Sequence, residues 1–213
     1  GGHSHVGTMI YLGDNWPAAH RGRLYTLNFH GRRANEERLE RAGSGFVGRH
    51  GPDFLISGNP WFRGQDLGSG PDGGVLVLDW SDTGECHNAT GVNRLSGRIY
   101  KITSGTPSPV DPDLARARPA DLVALHGHAN DWWVRQARLQ LAGRAAAGAA
   151  LGDAIPQLRI RATSSERSAV DRLRALWTLH AMGACDEAFL LPFLQDPDEA
   201  VRTWAVRLLT DAW

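Results

Sequence analysis

Lysine is nearly missing from this chain: Lys101 is the single lysine among 23 basic residues, which are balanced by 23 acidic ones. The resulting zero net charge argues against nucleic acid or an anionic membrane as the main partner, since either would select a basic face. Cysteine is scarce as well. Cys86 and Cys185 are the two present, far apart and in no CxxC pair, which argues against a disulfide framework. No CxxCH occurs, so no haem is attached in the c-type manner to this chain. No run of roughly 18 apolar residues exists to span a membrane. The chain opens Gly1-Gly2-His3, without initiator Met or signal peptide, and is expected to be a piece of a longer protein. What remains is ample: 213 residues with 42% apolar content suffice for one large domain or two small ones and exclude global disorder.

The hydrophobic period changes along the chain. Up to residue 103 short strands are expected at Thr8–Leu12, Arg23–Asn28, Gly45–Arg49, Asp53–Ser57, Gly74–Asp79 and Gly97–Thr103, punctuated by Gly, Pro, Asn and Asp. From Trp61 to Ile102 a polar turn, an apolar strand, a loop and a second strand follow one another as in a β-propeller blade. The segment Asn35–Arg41 has helix-forming composition but reads as a turn or connecting strand in these surroundings. Pro107, Pro109 and Pro112 mark residues 104–117 as a linker. Over 118–213 the apolar spacing is helical, with stripes such as Leu173, Leu176, Leu179 and Val201, Ala205, Leu208. Asn130-Asp131…Val134-Arg135 and Asp198-Glu199…Val201-Arg202 repeat a phrase in which an acid precedes a helix. This half resembles HEAT-type repeats. The expected fold class is therefore multidomain: all-β C-terminal blades of a partial β-propeller over 1–103, followed by all-α HEAT-like repeats.

Several phrases together carry a wider resemblance. Met9-Ile10-Tyr11-Leu12-Gly13-Asp14-Asn15-Trp16-Pro17, Asn28-Phe29-His30-Gly31, Trp61-Phe62-Arg63 and Asp79-Trp80-Ser81-Asp82-Thr83-Gly84-Glu85-Cys86-His87 are among them, specific in combination. With them the chain resembles the membrane-bound dehydrogenase family of planctomycete-type bacteria, whose propeller is similar to soluble quinoprotein glucose and sorbosone dehydrogenases. The resemblance implies an extracytoplasmic protein, periplasmic or membrane-associated, that oxidises a sugar or other alcohol. It implies pyrroloquinoline quinone and Ca²⁺ as cofactors and a c-type cytochrome as electron acceptor. The family's catalytic base belongs to blades outside this chain, so the fragment alone is expected to be inactive. The competing reading is a non-catalytic module that binds a protein partner on its helical half. A carbohydrate-binding or hydrolytic role, with Trp61 and Trp80 stacking on sugars, ranks behind both.

Individual residues follow from these readings. Arg63 is expected to face the quinone, since a guanidinium both pairs with a carboxylate and stacks on a ring; the alternative is an arginine tying a loop to carbonyls. His5 with His3 forms a His-x-His pair that a strand would point to one face, and His87 is expected to line the cofactor cavity. Asp72, Asp82 and Glu85 are hard oxygen donors suited to Ca²⁺. Asp72 also sits in Gly70-Pro71-Asp72-Gly73, a sequence suited to a tight turn with Gly73 at positive φ. Trp132, Trp133, Trp177 and Trp204 are expected to pack in the helical core, and Arg135 and Arg202 to bond between repeats.

Overall fold

A computed structural model describes residues 4–81, 83 and 95–211. The chain divides into two compact units, Gly1–Val110 and Asp111–Trp213, with the boundary inside the proline-rich stretch.

The first unit is a pair of antiparallel sheets. Strands β1 (His5–Ile10), β2 (Leu24–Asn28), β3 (Arg33–Ala42) and β4 (Gly45–His50) pair in sequence order, and β5 (Phe54–Ile56) also pairs with β3. The ten-residue β3 is shared: β2 takes residues Arg33 to Glu37, while β4 takes Glu37 to Ala42 and β5 takes Arg33 and Ala34. The second sheet is the meander β6 (Gly64–Ser69), β7 (Val75–Asp79) and β8 (Arg98–Ile102). Alternation in β7 buries Val75 and Val77 and leaves Leu76 and Leu78 exposed. The inward positions of both sheets, including Met9, Tyr25, Leu27, Ala34, Leu67, Val75 and Val77, form one core. Tyr11 fastens the sheets together. Its hydroxyl donates to Gly73 O at 2.8 Å and accepts from the N–H groups of Trp16 at 2.8 Å and Asn15 at 3.1 Å.

The second unit holds α1 (Pro119–Ala124), α2 (Asp131–Ala146), α3 (Ala154–Thr163), α4 (Ala169–Ala181), α5 (Glu187–Leu190) and α6 (Glu199–Leu209). Side-chain oxygens start four of them: Asn130 accepts from Trp132 N, Ser168 from Asp171 N, Asp186 from Phe189 N, and Asp198 from Ala200 N and Val201 N. Pro119 opens α1, where its missing N–H costs nothing. Helix α4 lies at the centre of the core, with Leu176 and Leu179 packed among Leu122, Leu141, Leu158 and Val201. Among the described residues no helix is long and apolar enough to cross a membrane.

The expected architecture, all-β propeller blades followed by HEAT-like repeats, is overturned. The described residues form two small sheets of five and three strands, with no closed barrel or propeller among them, and the helices complete a mixed α and β chain. The repeated phrases do begin α2 and α6, but these helices run 16 and 11 residues. Between them lie two helices of unlike length, the four-residue α5 and a 3-10 turn, which do not reproduce a single unit. Arg135 and Arg202 confirm the point. Arg135 pairs with Asp131 on its own helix, and Arg202 donates to the carbonyls of Asp196 and Pro197 just before its own helix, so neither links equivalent copies. The strand-turn-strand grammar that suggested a blade is common to any antiparallel meander.

Candidate functional site

Of the residues expected at a cofactor site, the three described ones, Arg63, His5 and Asp72, sit in separate local networks. Arg63 is buried, and its Nη1 donates to the carbonyls of Pro60 and Phe62, each at 2.9 Å, while Nη2 donates to Thr83 O at 3.3 Å. Its guanidinium also lies over the Phe29 ring, 5.8 Å from the centroid. This is the loop-tying arrangement. His5 Nε2 lies 3.1 Å from Asn35 Oδ1, in a network where Asn35 donates to Asp53, which Arg33 also contacts. The Asp72 carboxylate pairs with Lys101 and accepts from Gly74 N. Burial works to raise its pKa, but Lys101 and the backbone N–H outweigh burial and hold the carboxyl below the usual range. Gly73 has φ of 76°, as the turn requires. His3, Asp82, Glu85, Cys86 and His87 lie outside the described residues. Among the described residues no three His, Cys, Asp or Glu side chains gather as a metal set. Of the residues expected to hold quinone or Ca²⁺, the described ones, Arg63, His5 and Asp72, are engaged by the partners given above. Cys185 is half-buried, and burial pushes its thiol up to about 11, far from a reactive thiolate.

A different constellation forms on the helical unit. Asp131, Arg135 and Arg138 follow one another along α2 at intervals of four and three, so they share a face. Trp204, Arg207 and Leu208 do the same on α6, with Asp211 just beyond its end. Together with Trp177 and His180 of α4 they line a groove of about 570 Å³.

Its floor is a ladder of two indoles flanked by two cations. Trp177 and Trp204 meet edge to face, with centroids 4.9 Å apart and planes at 67°. Arg138 lies over Trp177, with Cζ 5.3 Å from the ring centroid, and Arg207 lies over Trp204 at 4.8 Å. The groove's carboxylates are spent on other cations: Asp131 pairs with Arg135 at 2.7 Å and with Arg174 at 3.1 Å, and Asp211 pairs with His180 at 3.0 Å. Neither Arg138 nor Arg207 has a carboxylate partner among the described residues. Burial lowers the pKa of Arg138, helped by the nearby cations Arg135 and Arg174 and opposed by the Asp131 carboxylate. The indole Nε1 of Trp177 is buried and has no hydrogen-bond partner among the described residues.

Arg138 is also held from beneath. Its Nε donates to Thr178 Oγ1 at 3.3 Å, and that oxygen lies 2.8 Å from Nε2 of the fully buried His126. The other ring nitrogen is 3.1 Å from Leu122 O. A carbonyl only accepts, so the neutral ring carries its proton on Nδ1, and the single Thr178 hydroxyl proton is shared between His126 Nε2 and Arg174 O, 2.9 Å away. The chain of bonds thus runs from the groove into the core. Such a site can hold an anionic or hydrogen-bonding ligand.

Sequence reasoning placed Trp177 and Trp204 in the core and passed over Arg138, Arg207 and His126. The available signal was an aromatic residue and an arginine three apart on α6, Trp204 and Arg207, and Trp177 next to Thr178 on α4.

Residues 3–105 match the family described as Domain of unknown function (DUF7133). No curated protein matches the chain, and no solved structure does. The groove lies outside the matched residues.

Proposed function

We propose that this chain acts as a non-catalytic interaction module whose helical unit captures a segment of another protein in the groove between α2, α4 and α6. The observation that carries this reading is the ladder Arg138–Trp177–Trp204–Arg207, which combines two cations without carboxylate partners and two indoles. Tryptophan and arginine are also the residues that most often dominate binding energy at protein interfaces.

The site residues of the dehydrogenase reading, His5 to His87, lie in the first unit, and the groove of the module reading is lined by residues 131–211. A sugar oxidase with a quinone would need polar atoms of Arg63 and Asp72 that are already engaged by carbonyls and by Lys101. The module reading asks nothing of them.

The test is selection of a randomised dodecapeptide display library against the full chain, with Trp204→Ala as the counter-target. Trp204 is half-buried at the groove, so the variant's thermal unfolding is checked against the parent first. Peptides that bind the parent and lose the variant support the reading. Absence of any such peptide, or binding indifferent to Trp204, refutes it.

A further inference from the structure

We infer that the occupant of this groove is an acidic peptide segment, whose carboxylates pair with Arg138 and Arg207 while an apolar neighbour rests on Leu208 and the indole edges. The inference deepens the module reading and rests on it.

Charge complementarity is the argument. Of the groove's charged side chains, Asp131 has both oxygens engaged, by Arg135 and Arg174, and Asp211 is engaged by His180. The guanidinium of Arg138 spends only Nε, on Thr178, and its two Nη groups make no hydrogen bond among the described residues. Arg207 makes none through its side chain and is exposed above Trp204. A guanidinium fork is matched by the two oxygens of a carboxylate, and bonds between charged partners are about twice as strong as neutral ones. The half-buried position of Arg138 matters most, because a pair formed there is screened less by salt than one in open solvent. A basic segment would meet two cations that no carboxylate pairs with directly, and a neutral one would leave both unpaired.

Rigidity adds to the case. Each cation is braced by an indole face, and Arg138 additionally by Thr178 and, through it, His126. Less side-chain freedom is then lost on binding, so more of the pairing energy appears as affinity.

The experiment continues the selection above. Peptides enriched on the full chain and dependent on Trp204 are sequenced, synthesised, and remade with every Glu and Asp replaced by Gln and Asn. Enrichment in acidic residues is expected, with loss of at least about tenfold in affinity for the amide versions, matching a charged hydrogen bond of about 1.5–3 kcal/mol. The Arg138→Gln and Arg207→Gln variants are expected to show the same loss; Arg207 is exposed, so its variant tests the charge without touching the core. Raising ionic strength to about 1 M, where the screening length is about 3 Å, should weaken binding further. Groove-dependent peptides that are neutral or basic, or amide versions that bind equally, overturn this inference and leave the module reading standing. A single-stranded oligonucleotide that displaces nothing is expected; one that binds the ladder while acidic peptides do not also overturns it. With no groove-dependent peptide at all, the module reading itself falls.

Discussion

Acidification is expected to weaken the helical unit in a window set by His126. The ring is fully buried, and burial, with the nearby cations Arg161 of α3 and Arg138 of α2, pushes its pKa down to about 4. Arg174 of α4 adds a third guanidinium, bonded to the His126 carbonyl. In the unfolded chain the ring regains a pKa of about 6.5. The folded value is the lower one, so the unfolded state takes up the proton first as pH falls. The stability associated with a neutral His126 is therefore fully present above about pH 6.5 and is lost between about pH 6.5 and pH 4. A difference of about 2.5 units corresponds to about 3 kcal/mol. Urea unfolding of the full chain, followed by helical circular dichroism, measures it. With a slope of about 2–3 kcal/mol per molar, the midpoint should fall by about 1 M between pH ~7 and pH ~4.5. The carboxylates of Asp196 and Asp121 are held below their usual range and act at lower pH. His50, whose pKa is raised by its Glu37 hydrogen bond, sits in the β unit and works in the opposite sense. The control is His126→Gln, which cannot titrate: it should be less stable at neutral pH yet lose the slope. A parent midpoint that does not move, or a Gln variant that keeps the full slope, would refute the assignment.

Other consequences concern packing and backbone. Tyr11→Phe removes one hydroxyl that serves Gly73 O, Trp16 N and Asn15 N, and should cost about 2–4 kcal/mol in urea unfolding of the β unit. Arg172 and Asp196 form a buried bidentate pair, so Arg172→Met alone should cost about 3–5 kcal/mol by stranding the carboxylate. The double variant with Asp196→Leu should recover most of that loss, and a double variant no better than the single would show that the pair itself is not the cause. Gly73→Ala should destabilise as well. Its φ of 76° strains any L side chain, and the added Cβ would meet Asn15 N at 2.6 Å, so an unchanged melting temperature would contradict the turn geometry.

How much of this was legible depends on the range over which each feature is decided. The alternation of Val75, Leu76, Val77 and Leu78 reports directly on a strand, and β7 forms where it was expected. Gly70-Pro71-Asp72-Gly73 likewise forms its turn, because three or four residues determine it. Strand β6 was invisible: Gly64, Asp66, Gly68 and Ser69 read as a polar turn, and the segment is extended because the β7 ladder holds it there. Residues Asn35–Arg41 carry helix-forming side chains, yet they belong to β3, which is paired along both edges. The step from strands to a propeller failed for the same reason, since local grammar does not say how sheets close. The scarcity of lysine had no meaning in the sequence, but in the structure Arg144, Arg159, Arg172, Arg174 and Arg202 all donate to backbone carbonyls, which a guanidinium fork does better than an ammonium. The ladder was the least legible feature. Helical spacing puts Trp177 and Trp204 on inward-leaning faces, and core packing is the sound inference from one helix at a time. That Arg138 comes to rest over Trp177, and Trp177 against Trp204, is decided by how α2, α4 and α6 pack together. No motif within one helix encodes that meeting, so a site made of three helix faces has to be read from the packing itself.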